Sequence, residues 1–128
     1  MGKQAAGSKA QDRSSGPARR RLETIEGNPA LQLDRVIHER TRLAIMSALA
    51  AGGTQTFNGL KALLEVTDGN LSIHCRRLEE AGYIVCEKTF ENRMPKTSYK
   101  LSSEGRRAME RYLQHMEALI EGAREGGE

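Results

Sequence analysis

The 128-residue chain has the length of a single domain, and its 38% hydrophobic residues are enough for a modest core. Aromatic residues make up only 4% and tryptophan is absent, so this core must consist mainly of aliphatic side chains and methionine. No run approaches the roughly 18 apolar residues of a membrane span, and no signal-peptide pattern is present. We therefore expect a cytoplasmic protein that does not enter membranes.

The positive charge is concentrated at the N-terminus. Six of the 20 basic residues but only one of the 17 acidic residues lie in residues 1–21, which leaves a net charge of +5 there and −2 in the remainder. Residues 1–28 are also rich in Gly, Ser, Ala and Gln and almost free of apolar side chains. We predict that they form a disordered basic arm, for which a solubilising role and contact with DNA both remain open.

Chemically reactive residues form no catalytic or metal-binding pattern. Cys75 and Cys86 lack CxxC spacing, and the three histidines, His38, His74 and His115, are too widely separated for a ligand set. Nucleophile-elbow, phosphate-loop and HExxH sequences are absent as well. These observations predict reduced cysteines and a protein that is not an enzyme and has no metal or cofactor.

Two helices are predicted in the first half of the chain. Apolar spacing indicates one helix over residues 39–51, ended by Gly52 and Gly53, and a second over residues 57–65 that is capped by Thr56. A minor strand is expected at residues 54–56. The apolar positions of the second helix follow the i, i+3, i+4, i+7 rule: Phe57, Leu60, Leu63 and Leu64.

A third helix is predicted over residues 66–82, with Thr67 as N-cap and Gly82 as its end. One narrow face carries Leu71, Cys75 and Leu78 and must be buried. The opposite face carries side chains suited to base edges and phosphates, namely Asn70, Ser72, Ile73, Arg76 and Arg77. A recognition helix and an ordinary helix with a solvated face both explain this pattern. The short connection to the preceding helix gives the outline of a helix-turn-helix.

A β-hairpin is predicted next, with strands over residues 83–90 and 96–101 and a five-residue loop over 91–95. Lys88, Arg93 and Lys96 make its tip basic, as in a wing. A last helix starts after the N-cap Ser102, and residues 122–128 are expected to fray. Its apolar stripe is predicted to pack on a second copy, although closing the monomer core is the alternative. The stripe consists of Met109, Tyr112, Leu113, Met116, Leu119 and Ile120.

The order of elements and three sequence segments resemble winged-helix transcriptional regulators of the MarR/ArsR-like kind. The segments are Leu33-Asp34-x-x-Ile37-His38-x-x-x-Arg42-Leu43-x-Ile45-Met46, Gly69-Asn70-Leu71-Ser72-x-His74-x-x-x-Leu78-Glu79-x-Ala81-Gly82-Tyr83 and Arg93-x-Pro95-x-Thr97-x-Tyr99-x-Leu101-Ser102-x-x-Gly105-Arg106. The resemblance implies a mostly α fold with a small β-hairpin wing. The winged helix-turn-helix domain would span residues 29–121 and include a C-terminal dimerisation helix over about 102–121.

The resemblance also implies a homodimeric repressor that binds a near-palindromic site on double-stranded DNA. Asn70, Ser72, Ile73, His74, Arg76 and Arg77 would contact bases or phosphates, and Arg93 and Lys96 would be wing contacts. A packed His74 remains an equal alternative. Cys75 stands where such proteins usually have Leu, and His115 lacks acidic partners, which argues against metal sensing. The alternatives are a protein–protein interaction module or an effector- or metal-responsive sensor whose small-molecule effector is unknown.

Overall fold

The computed structural model describes residues 33–126, which fall into two compact units. The first unit is Asp34–Tyr112, and the second contains Leu33 and Leu113–Gly126 among the described residues. The predicted N-terminal arm, residues 1–28, lies outside the described residues. The elements are α1 (Arg40–Gly52), β1 (Gln55–Thr56), α2 (Phe57–Leu64), α3 (Asp68–Glu80), β2 (Ile84–Glu91), β3 (Met94–Leu101) and α4 (Ser103–Gly126).

Each helix starts at a side chain that accepts a backbone N–H of the first turn. Glu39 accepts from Arg42 N (2.8 Å), Thr56 from Gly59 N (2.9 Å), Thr67 from Asn70 N (3.2 Å) and Ser102 from Gly105 N (2.9 Å). A cap of this kind stabilises a helix by about 1 kcal/mol. The predicted caps Thr56, Thr67 and Ser102 are therefore confirmed.

The core of the Asp34–Tyr112 unit is aliphatic, as the composition predicts. Its fully buried side chains include Ile37, Ile45, Met46, Leu49, Leu60, Leu71 and Leu78. Leu63 belongs to the apolar spacing pattern of α2 but not to this core, because its side chain is 64% exposed. At about 100° per residue, Phe57 and Leu64 lie on one side of the fully buried Leu60, whereas Leu63 lies on the other. Because Phe57 and Leu64 are half-buried, α2 turns that side toward the core and leaves Leu63 outside.

The sheet has the strand order β1-β3-β2, with both pairings antiparallel. The predicted five-residue hairpin loop is wrong, since Glu91 pairs with Met94 and only Asn92 and Arg93 form the turn. Both turn residues have positive φ, 54° and 67°, which is the backbone of a type I′ turn. That turn matches the right-handed twist of the strands and extends the hairpin by two residue pairs.

A Schellman motif ends α3 at the predicted Gly82, whose φ is 81°. Tyr83 N donates to Leu78 O (3.0 Å) and Gly82 N donates to Glu79 O (2.9 Å). Strand β2 follows immediately, so the end of α3 places the hairpin beside it. At the other end of the chain, α4 continues to Gly126 instead of fraying from Gly122, because one glycine costs a helix only about 1 kcal/mol.

All three tyrosines of the chain favour the protonated form in the folded state. Burial raises the pKa of Tyr83 to about 12, reinforced by its hydrogen bond to Asp34, and burial also raises the pKa values of Tyr99 and Tyr112. The unfolded chain loses these protons near the ordinary value of about 10, whereas the folded chain keeps them. The tyrosine contribution to the free energy of unfolding should therefore be constant below about pH 10 and fall as the pH rises from about 10 to 12.

Urea unfolding at several pH values across that window tests this expectation, with tyrosinate absorbance recorded in parallel. The urea-unfolded protein is the control and should titrate near pH 10. Tyrosinate formation near pH 10 in the folded protein would contradict the expectation.

Candidate nucleic-acid interface

Helix α3 has one buried and one exposed face. Leu71, Cys75 and Leu78 are at most 1% exposed, and they hold the helix against the core. Asn70, Ser72, Ile73, Arg76 and Arg77 are all exposed on the outside, and Ile73 is 59% exposed. The division of faces predicted from the sequence is therefore confirmed.

The two arginines of α3 are free to bind a ligand. Neither Arg76 nor Arg77 forms an ion pair with any other residue of the 33–126 range, although Glu79 and Glu80 lie on the same helix. Each guanidinium carries five N–H donors in a planar arrangement that suits guanine edges and phosphates. The exposed face of α3 thus presents two uncompensated positive charges together with the amide of Asn70.

An ion pair stabilises the turn between α2 and α3. Lys61 Nζ lies 2.8 Å from Asp68 Oδ1, which joins the last turn of α2 to the first turn of α3. Between them Glu65 adopts the left-handed conformation with φ 56°. Lys61 and Asp68 are seven residues apart with a turn between them, so no helical spacing rule reveals this pair.

His74 lies between α3 and α1. Its Nδ1 is 3.1 Å from Arg42 Nη1 and 3.6 Å from Glu39 Oε1, and its side chain is only 18% exposed. Arg42 also donates from Nε to Val36 O (2.5 Å). Because a guanidinium only donates, Nδ1 accepts and Nε2 carries the proton in this arrangement. Among the predicted contacts of α3, His74 is the one whose side chain binds another segment of residues 33–126.

At the hairpin tip the basic residues differ in their pairing. Lys96 lies 3.3 Å from Glu91, and Lys100 lies 3.6 Å from Glu87. Lys88 and Arg93 form no ion pair within the described residues. Arg93 also occupies the turn itself and projects at the end of the hairpin. Of the two predicted wing contacts, Arg93 is therefore the less compensated charge.

The predicted dimer stripe divides into two parts. Met109 and Tyr112 are only 6% and 2% exposed, so they have little surface left for a partner. The hydroxyl of Tyr112 lies 2.8 Å from Nδ1 of His38, within the Asp34–Tyr112 unit. Leu113 and Ile120 are 48% and 45% exposed. The prediction that all six residues share one role is thus corrected, because the first two belong to the core of the chain.

Cys75 is a buried, weakly reactive thiol. Burial raises the pKa of Cys75 to about 11, partly offset by a hydrogen bond with Tyr99, so its reactive thiolate is scarce at neutral pH. Cys86 is half-buried and also free. No group of three or more His, Cys, Asp or Glu side chains within residues 33–126 is arranged to hold a metal ion. None of the helices in this range is long and apolar enough to cross a membrane.

Residues 41–120 match the family described as the winged helix DNA-binding domain. This chain belongs to that family. The winged-helix protein is 33% identical over 79 residues to an uncharacterized protein of Methanocaldococcus jannaschii, an alignment that covers 62% of this chain and 86% of the relative.

Solved structures show the same fold. A transcriptional regulator homologue from Pyrococcus horikoshii superposes with a TM-score of 0.67 at 29% identity, over 70% of this chain and 89% of that chain. A transcriptional regulator from Thermotoga maritima superposes with a TM-score of 0.54 at 18% identity, over 79% of this chain and 67% of that chain. The resemblance to winged-helix transcriptional regulators and the predicted fold class are confirmed. The winged-helix protein is a DNA-binding regulator.

Proposed function

We propose that this winged-helix regulator is a cytoplasmic transcriptional repressor that binds as a homodimer to near-palindromic double-stranded DNA. The observation that carries the proposal is the exposed face of α3, where Asn70 is exposed and Arg76 and Arg77 form no ion pair within the described residues. A helix held by one buried face and bearing such donors on the other fits the major groove. Repression follows from a bound dimer that blocks access to the same stretch of DNA.

The proposed base contacts are Asn70, Ser72, Ile73, Arg76 and Arg77. The exposed Ile73 suits a thymine methyl group. Arg93 and Lys96 on the hairpin are proposed as phosphate contacts, with Arg93 the stronger because Lys96 must leave Glu91 to bind. His74 is proposed to orient α3 through Arg42, with its Nε2–H left as a donor for a phosphate.

The proposed dimer contact is formed by the second half of α4. Leu113, Met116, Leu119 and Ile120 recur at helical spacing, and two of them keep nearly half of their surface exposed. An isologous contact between two copies of this stripe would bury it on both chains. Two recognition helices in such a dimer would read half-sites about 34 Å apart, one turn of DNA.

Selection of bound sequences from a random duplex pool tests the proposal. We expect enrichment of a near-palindrome whose half-sites are one helical turn apart, and a mass of two chains per complex. Failure to enrich any sequence would contradict sequence-specific reading. A single half-site bound by one chain would contradict the dimer.

Arginine substitutions separate base reading from phosphate contact. Arg76→Ala or Arg77→Ala should weaken binding to the selected site by about 1–3 kcal/mol per lost base contact and relax the preference at one position. Arg93→Ala, as the matched control, should weaken selected and unrelated duplexes alike. Fluorescence anisotropy on both duplexes measures this difference. Equal losses on both duplexes for all three variants would argue against base reading by α3.

The competing function is a winged-helix module that binds another protein. It is favoured by the net charge of −2 outside residues 1–21, which is unusual for a surface that binds a polyanion. Salt dependence distinguishes the two functions, because each neutralised phosphate contributes about −0.9 to the slope of log K against log salt. A protein partner should give a much shallower slope.

A further inference from the structure

Two large apolar side chains near the hairpin tip are exposed to solvent. Phe90 is 77% exposed and Met94 is 66% exposed, and aromatic residues and methionine are enriched in contact surfaces. Phe90 pairs with Pro95 and Met94 pairs with Glu91. Because side chains alternate along a strand, Phe90 and Met94 lie on opposite faces of the hairpin.

The face that carries Phe90 is the one on which α3 packs. Phe90 shares it with Cys86 and, through the strand register, with Tyr99. Tyr99 is buried and hydrogen-bonds Cys75 of α3. Farther along the hairpin this face passes beyond the core, and Lys88 and Phe90 become exposed. They therefore lie on the side of the hairpin that is turned toward the recognition helix.

The two faces also differ in charge. Lys88 lies on the same face as Phe90 and has no ion pair within the described part of the chain. On the opposite face Lys96 is paired with Glu91 and Lys100 with Glu87. Met94 on that side lines a groove of about 380 Å³ together with Phe57 and Asn58 at the start of α2. Only the Phe90 face thus combines an exposed aromatic ring with an uncompensated positive charge.

We propose that Lys88 and Phe90 contact the DNA backbone between the recognition helix and the hairpin tip, an inference that rests on the proposed function. The Phe90 ring packs on deoxyribose, the apolar part of the backbone, and Lys88 pairs with a neighbouring phosphate. A polyanion with apolar sugar edges complements a cation beside an exposed ring, whereas the face that carries Met94 has no aromatic ring and its proposed phosphate contact, Lys96, must first leave Glu91. This contact is independent of base sequence.

Two matched pairs of variants test the contact on the duplex selected by the wild-type protein. Phe90→Ala should weaken binding about tenfold and leave the salt slope unchanged, because no charge is lost. Met94→Ala, a similarly exposed apolar residue on the opposite face, should bind like the wild type. Lys88→Ala should weaken binding and reduce the salt slope by about 0.9, whereas the paired Lys100→Ala should change neither.

Three results would overturn the proposal. The first is wild-type affinity for Phe90→Ala, and the second is an equal loss of DNA affinity for Phe90→Ala and Met94→Ala. The third is a change of oligomeric state in Phe90→Ala, measured by light scattering, because it would mean that the ring contacts a second copy of the chain. If Phe90→Ala retains wild-type affinity while the wild type still binds its selected site, only this contact fails. If the wild type binds no duplex, the proposed function fails with it.

Discussion

Gly105→Ala is expected to destabilise the protein by about 3 kcal/mol, at the upper end of the range for an overpacked position. A Cβ at this position would lie 2.8 Å from the carbonyl carbon and 3.0 Å from the Cα of Tyr83, and closer still to its carbonyl oxygen. These atoms are backbone, so they cannot rotate away as a side chain can. The start of α4 would have to move.

The surroundings of Gly105 explain why the displacement is costly. Ser102 N donates to Tyr83 O (3.0 Å), and the Ser102 hydroxyl donates to Gly82 O (2.6 Å) while accepting from Gly105 N (2.9 Å). These bonds join the start of α4 to the turn that ends α3. A shift of α4 therefore strains or breaks several hydrogen bonds at once.

Thermal and urea unfolding measure the effect, and a loss of about 3 kcal/mol corresponds to a fall in Tm of more than about 10 °C for a domain of this size. Gly69→Ala is the control, because a Cβ there meets nothing within 4 Å and alanine favours the helix by about 0.5–1 kcal/mol. A Gly105→Ala variant as stable as Gly69→Ala would show that the close approach to Tyr83 is absent.

Leu71→Ala should destabilise the protein by about 2–5 kcal/mol, because the side chain is fully buried on the core face of α3. Ile73→Ala, two residues later and 59% exposed, should change stability by less than about 0.5 kcal/mol. The two variants should rank the other way round in DNA affinity, measured under conditions where both are folded. Ile73→Ala should lower affinity for the selected site, whereas Leu71→Ala should bind once it is folded.

Urea unfolding and binding at low temperature separate these effects. Similar losses of stability for the two variants would mean that α3 does not present Ile73 to solvent. A loss of affinity in Leu71→Ala alone would place the DNA contact elsewhere. The comparison thus tests whether one helix divides cleanly between a structural face and a binding face.

Hydrogen bonds that close within a few residues were predictable from the chain alone. Thr56, Thr67 and Ser102 cap the helices that they were expected to cap, and Gly82 ends α3. The burial of Leu71, Cys75 and Leu78 also followed from helical spacing. These features depend only on residues close together in the chain, so the sequence alone is enough to predict them.

The hairpin turn was not predicted correctly, because its length depends on backbone conformation rather than on residue type alone. The sequence favours a loop over 91–95 because Asn92 prefers turns and Pro95 forces Met94 to be extended. In the structure Pro95 lies opposite Phe90 in the strand, and Asn92 and Arg93 accept positive φ. The two-residue turn adds the pairs Phe90–Pro95 and Glu91–Met94 to the hairpin.

Contacts between segments far apart in the chain decide which partner each helix face has. His38 and Tyr112 are 74 residues apart and lie 2.8 Å from each other, which assigns Tyr112 to the core although its spacing equally suited a dimer stripe. Arg42 and His74, 32 residues apart, meet at 3.1 Å and turn a candidate DNA contact toward α1. Helical periodicity says which side chains share a face, but only the packing of that face shows whether the core, a second chain or DNA covers it.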